Sequence, residues 1–466
     1  MNNVYKITAD VVFPEGIAPG AESRSNKKAV ARNGKNETVL RGSALAGVLR
    51  SAYANQSGLK SHDDKVAMWF GRGMEEEIDT GSILQIEDAV IKSKSINERV
   101  HNMINRHTGA MVDSGLFSIE AIPPMASTTI SITLKAGAGE VEKYKEFIST
   151  IVNILGNGLV TGGNRNRGIG RMEVKGDIFL RVFDIDTIDG LCNFMDAQYQ
   201  ERKTKALLSG EKQKIVENTD VLKISLDFSI PRGEDLLIGD GQEMDYTLKP
   251  QSVMFADGTV HWRIPGSSLR GVIRAWMTRL AAREGLIIRD SIERWYEQYD
   301  ESSPEKYKPD MAGWGFIDKK HQTEYQKDPA LLKDPIMDLF GSMYKRGRIH
   351  ITDSFAPMEE EKDTQDRMHV AVDRFSGGAN EGALFNNQVL IEKKLKFSVT
   401  IFLESPTEDE IKWLIKTFRA IHLGILLVGS SKGGGRLEIK SITAKGLQSQ
   451  AITKFAQELK KNDQDF

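Results

Sequence analysis

The chain repeats itself. Gly42, Ser43, Leu45, Gly47, Val48 and Arg50 recur as Gly266, Ser267, Leu269, Gly271, Val272 and Arg274, at a constant offset of 224 (274 minus 50). Each set opens what reads as a helix. A duplicated pattern narrows the fold more than composition does, because two copies of one pattern build the same supersecondary unit twice. The 466 residues are too many for a single core and fit a tandem of two.

The rest of the chain aligns with itself in the same way. Tyr5 to Phe13 alternates like a strand, and Leu222 to Ile230 matches it at offset 217. Trp69-Phe70-Gly71 matches Leu339-Phe340-Gly341 at offset 270, so 46 residues (270 minus 224) enter the second copy, between about Arg283 and Pro335. This insertion is rich in Lys, Asp, Glu, Tyr and Trp, and it reads as a surface excursion. Ser82 to Ala89 and Arg348 to Ser354 read as strands with Asp88 over Asp353, and Arg99 to Gly109 matches Arg367 to Gly377 at offset 268.

Each copy continues into a strand (Thr128 to Leu134; Leu395 to Leu403) and an amphipathic helix. The expected buried stripes are Val141, Tyr144, Ile148, Ile151 and Val152 in one, and Ile411, Leu414, Phe418 and Ile421 in the other. Ser405-Pro406-Thr407-Glu408 reads as the second helix start, with Ser405 as N-cap. Both copies close on a glycine-rich loop and a strand. The resulting order, β-α-β-β-α-β, predicts an α+β chain of two tandem ferredoxin-like, RRM-type modules. The expected boundaries are residues 1–180 for the first module, 181–219 for a bridge, 220–445 for the second module and 446–466 for a polar tail.

The formal net charge is only −2, so any nucleic-acid surface must be a local patch. Cys192 is the only cysteine, which excludes an intramolecular disulfide and disfavours a cysteine-based zinc site; a reducing, cytoplasmic setting is expected. No long apolar run marks a signal peptide or a membrane span, so no membrane partner is expected.

The chemistry concentrates in four places. The glycine loops place Gly162, Gly163, Arg165, Arg167 and Arg171 in one copy and Gly429, Lys432, Gly433, Gly434 and Arg436 in the other. Neither is a Walker loop, yet glycines flanked by cations suit a phosphate backbone, with a plain loop as the alternative. The helix starts offer Ser43 and Arg50, and Ser267, Ser268, Arg270 and Arg274, to a phosphate at a helix N-terminus. Helix capping by Ser43 and Ser267 competes with that reading. Arg99, His101 and Arg106, and Arg367, His369 and Arg374, sit on hairpin-like segments where alternate positions share a face, suited to RNA contact, with ordinary strand packing or proton transfer by His101 or His369 as the alternatives. Asp88 and Asp353 read as strand-end hydrogen-bonding groups. The asymmetric feature is the acidic loop before Ile264, where Asp245 falls over Ala21. A lone loop aspartate is ordinarily a turn former.

Taken together, Ile264 to Gly271 (IPGSSLRG), Asp373 to Ala379 (DRFSGGA), Leu384-Phe385 and Gly433 to Arg436 (GGGR) resemble the RAMP superfamily of CRISPR-associated proteins, and more narrowly the backbone subunits of type III effector complexes. A fusion of two such subunits is similar to the tandem backbone proteins of type III-D-like systems. The resemblance implies a subunit that grips a guide CRISPR RNA beside other effector subunits and inserts a β-hairpin thumb (Arg99 to Phe117; Arg367 to Phe385) into the guide–target duplex. It also implies that Asp245 cuts the single-stranded target RNA with a divalent metal, Mg²⁺ or Mn²⁺, bound at Asp245. The first copy, lacking that aspartate, is expected to bind without cutting. A non-catalytic scaffold, or a guide-processing ribonuclease acting alone on precursor RNA through histidine and without metal, are the alternatives.

Overall fold

The computed structural model describes residues 3–24, 27–71, 81–93, 95–102, 104, 117–137, 141–163, 165–204, 210–239, 248–286, 335–341, 346–392, 395–429 and 434–462. In the first module β1 (Asn3–Phe13) lies between β3 (Ala126–Ala136) and β4 (Arg171–Asp184), antiparallel to both, and β2 (Leu84–Ile86) extends the sheet beyond β3. Helices α1 (Gly42–Gln56) and α2 (Val141–Gly156) fall between strands as the repeat predicts. The second module repeats the layout with β5 (Val221–Ser229), α3 (Gly266–Arg283), β6 (Ile349–Ile351), β7 (Lys396–Glu404), α4 (Glu408–His422) and β8 (Glu438–Lys445). Strand orders β4-β1-β3-β2 and β8-β5-β7-β6 are the same antiparallel arrangement, the ferredoxin-like one.

Alternation along the central strands builds two separate cores. Tyr5, Ile7, Ala9, Val11 and Phe13 point with Leu45, Leu49, Ile148 and Ile151 into one. Leu222, Ile224, Leu226 and Phe228 point with Leu269, Ile273, Leu414 and Phe418 into the other. The stripe of α2 is wider than the sequence spacing predicts and is displaced: Val141 is 40% exposed, while Phe147, Ile154 and Leu155 are buried. The cause is a second contact, since Phe147 leaves the sheet side to stack on Trp69 at 4.1 Å and meet Tyr53 edge-on.

One expectation needs correction, and the bridge and tail gain detail. The second-module helix is capped two residues later than Ser405. Thr407 is the N-cap, its hydroxyl accepting from Glu410 N at 3.3 Å while the Glu410 carboxylate accepts from Thr407 N at 2.9 Å, and Ser405 instead turns the chain at φ 44°. In the bridge, β4 runs on past residue 180 to Asp184, a helix follows at Ile188–Thr204, and Glu211–Lys212 pairs back onto β4. The polar tail forms a helix, Ser449–Asn462, whose Ile452, Phe455 and Leu459 join the second core. Helix α3 ends at Arg283 and a short helix resumes at Pro335–Phe340; the insertion between 287 and 334 lies outside the described residues. No described helix is long and apolar enough to cross a membrane.

Candidate nucleic-acid interface

Both helix starts are built by one device, and it is not a serine cap. The N-cap positions are Arg41 and Pro265, neither with a side-chain cap hydrogen bond. Instead a strand-end aspartate reaches across: Asp88 Oδ1 accepts from Gly42 N, and Asp353 Oδ1 from Gly266 N, each at 2.8 Å. An acid at a helix N-terminus satisfies an otherwise orphaned amide and complements the helix dipole. The glycine is required because a Cβ on Gly42 or Gly266 would lie 2.0 or 2.3 Å from the carbonyl oxygen of Ile86 or Ile351. Remote capping leaves the serines facing outward, Ser43 exposed and Ser267 and Ser268 half-buried.

Beside the first helix start is an open hollow of about 320 Å³, lined in part by Gly20, Arg41, Ser43, Ala44 and Gly162. It brings the helix start and the glycine loop of one module together. Gly163 N donates to Ala18 O at 2.7 Å and holds the loop there. Arg50 lies about two turns further along α1, its Nε donating to Ser61 O at 2.8 Å.

The cations of that loop go elsewhere. Residues Arg165–Arg167 form a single turn packed against the second module. Arg165 O accepts from His350 Nδ1 at 3.0 Å, Arg167 lies over the Phe117 ring at 4.3 Å, and Arg171 lies over the Phe402 ring at 3.7 Å while bonding Glu173. Arg171 is therefore an intermodular residue rather than an exposed phosphate contact; its counterpart Arg436 is half-exposed, 3.6 Å from Glu234. Gly429 is exposed and Gly434 half-buried, while Lys432 and Gly433 lie outside the described residues. Arg270 also turns inward, donating to Ile349 O at 2.9 Å and to Phe340 O, which anchors α3 to β6. Burial, with Arg274 and Arg167 nearby, pulls its pKa down to about 9. Arg274 sits half-buried at 5.9 Å from the Phe340 ring centroid.

The hairpins show the same split between copies. In the first module Asn97–His101 pairs with Phe117–Ala121, and Arg99 and His101 share the buried face. Arg99 forms an ion pair with Asp353 of the second module. His101 stacks on Phe117, and burial together with Arg167, Arg99 and Arg263 lowers its pKa to about 2, so it stays neutral near neutral pH. Arg106 lies outside the described residues. In the second module Thr364–Val372 pairs with Ala379–Ile391 in a projecting ribbon, and His369 stacks on Phe385 as His101 does on Phe117. Arg367 is exposed and 3.1 Å from Asp235, and Arg374 is exposed at the tip. Asp373 Oδ1 accepts from Phe375 N and Ser376 N at 2.9 and 2.7 Å and fixes the turn. Phe375, 90% exposed, crowns the ribbon, with Met368, Val370 and Leu384 exposed along it. Sequence reading missed this apolar crown. Met368, Val370 and Val372 alternate as one face of an ordinary half-buried strand would, so their exposure shows only in the structure.

A further buried group sits in the seam. Burial raises the Glu15 carboxyl to about 8, with Asp353 and Glu173 adding to the effect and Arg171 opposing it. A carboxyl whose folded pKa is raised from 4.5 to about 8 loses stability as pH rises across that window. Denaturant melts at stepped pH should show that decline, and Glu15→Gln should flatten it; an unchanged slope would place the titration elsewhere.

Among the described residues no three His, Cys, Asp or Glu side chains converge on a metal position. Asp245, with its neighbour Asp240, lies outside those residues. A family model described as the RAMP superfamily matches residues 8–173 and 235–438, one stretch in each module. No curated protein matches the chain.

Proposed function

The chain belongs to the RAMP superfamily, whose CRISPR-associated members bind RNA, and from that premise we propose that it is a double backbone subunit of a type III CRISPR ribonucleoprotein. It would hold a guide CRISPR RNA with both modules, beside other effector subunits, and cut paired target RNA in the second. The observation that carries this reading is the pair of identical helix starts. Each is capped from a distance so that its serines stay outward, and one opens on a hollow rimmed by Arg41 and Gly162. Backbone amides, hydroxyls and guanidinium groups recognise phosphate and shape, which suits a protein whose sequence specificity comes from base pairing. The projecting ribbon with Phe375 at its tip has the apolar end needed to part stacked nucleotides.

The cutting step needs little from the protein once a nucleotide is splayed. The 2′-OH attacks the adjacent phosphorus, its proton passes to the Asp245 carboxylate, and the 5′-oxygen leaves and is protonated by water, giving a 2′,3′-cyclic phosphate and a 5′-hydroxyl. The divalent cation that the resemblance implies finds no donor set among the described residues, and no step is assigned to it; chelation of the assembled complex reads its requirement directly.

RNA binding by backbone contacts must depend on salt. For single-stranded RNA each lost phosphate contact should lower the log–log salt slope by about 0.7. Arg41→Gln is therefore expected to weaken binding equally for all sequences and to lower the slope by about that amount. An unchanged slope would remove the first helix start from the interface.

A further inference from the structure

The two copies of the capping aspartate live in different surroundings. Asp88 is half-exposed, its side chain at 49%, with Arg41 3.6 Å away, so water can solvate the oxygen not used on Gly42. Asp353 does the same work for Gly266 with its side chain 1% exposed, shut in by the first module. Its own amide donates to Gly168 O at 3.0 Å, and its second oxygen is taken by Arg99, 3% exposed and 254 residues away in sequence. A carboxylate buried without a cation is costly, and removal of one partner from such a pair is strongly destabilising. Arg263 also feels the Asp353 charge, but Arg99 is the cation in direct contact with it among the described residues. Arg263 is held by Gln251 and Arg167 lies over Phe117, and both have their pKa values lowered by burial and by Arg99 itself.

We propose that Arg99 is a positioning residue for the second module's RNA grip: by holding the Asp353 carboxyl group in place, it fixes the Gly266 amide and the Ser267-Ser268 start of α3. The first module's hairpin is thereby a working part of the second module's binding surface. Without Arg99, the buried Asp353 side chain loses its ion-pair partner and is free to swing toward water, which loosens its hold on Gly266. Asp88, which faces solvent, needs no such partner, so the dependence runs in one direction only. This rests on reading the α3 start as an RNA contact.

The test uses the full chain. Arg99→Met is expected to speed hydrogen exchange at Gly266 to Leu269 by about tenfold or more while leaving α4, outside the seam, protected. Arg99→Lys should restore most of the protection. So should the double variant Arg99→Met with Asp353→Asn, because a carboxamide oxygen can still accept from Gly266 N without needing a counter-charge. Unaltered exchange at Gly266 to Leu269 in Arg99→Met, or loss of protection in α4 to the same degree, would overturn the positioning role. RNA crosslinking to Ser268 should fall in Arg99→Met and return in Arg99→Lys, with crosslinking to Ser43 constant. Faster exchange with undiminished crosslinking at Ser268 would keep the Arg99 to Gly266 linkage but overturn its role in the grip. A chain that crosslinks at neither serine before mutation would instead sink the RNA reading of the helix starts.

Discussion

Asp245→Ala in the assembled complex is expected to abolish one cut in the target RNA and to leave target affinity unchanged. Removal of a general base lowers the rate by about 10²–10⁴-fold, whereas the grip is spread over helix starts, loops and hairpins that this substitution does not touch. The contrast within the chain sharpens the expectation: the first module carries Ala21 at the aligned position, so the variant makes the two modules alike in that loop. A product ladder that keeps the same cut in Asp245→Ala would move the assignment, with Asp240 the next residue to change. A wild-type complex that yields no products at all would make the chain a non-catalytic scaffold. Metal-free cutting of precursor guide RNA by the isolated chain would point to the third reading, although neutral, buried His101 is poorly placed to donate a proton there.

The second large effect is structural and lies in the seam. Gly168 has φ +84°, and a Cβ there would lie 2.2 Å from Asp353 Oδ1 and 3.0 Å from Gly266 Cα. Gly168→Ala must therefore accept a left-handed backbone, at about 1–2 kcal/mol, and also displace the buried Arg99–Asp353 pair, whose disruption costs about 3–5 kcal/mol. The expected result is a loss of about 3 kcal/mol or more in denaturant unfolding, with the second module's helix start exchanging faster. Gly47→Ala is the matched control, since nothing lies within 4 Å of its Cβ and it sits in α1. A gain of about 0.5–1 kcal/mol is expected there. Equal small effects at both positions would mean that the modules do not dock as described.

The layout was legible because it depends on local periodicity and on repetition. Alternation in Tyr5 to Phe13 and Leu222 to Ile230 marks the central strands, and the helix stripe at Ile411, Leu414, Phe418 and Ile421 is buried throughout. What the sequence hides is the environment of equivalent residues. Arg99 and Arg367 hold the same register position, yet one is buried against Asp353 and the other is exposed beside Asp235, because only the first module has a second one docked against that face. Arg171 and Arg436 divide for the same reason. The capping device escaped because its partners are distant: Asp88 lies 46 residues from Gly42 and Asp353 lies 87 from Gly266, so the adjacent serines look like the caps. The tail helix hid its role because Ile452, Phe455 and Leu459 are few among polar neighbours, and only the tertiary contact shows which side of the helix is buried.

The central claim is that both modules grip one RNA strand through equivalent helix starts. The most direct measurement places a photocrosslinking side chain at Ser43 in one preparation and at Ser268 in another, within the assembled complex, and maps the attached nucleotides. The account expects both positions to crosslink to the same guide RNA, at two separate nucleotides. Crosslinking from only one position, or from neither, would contradict it.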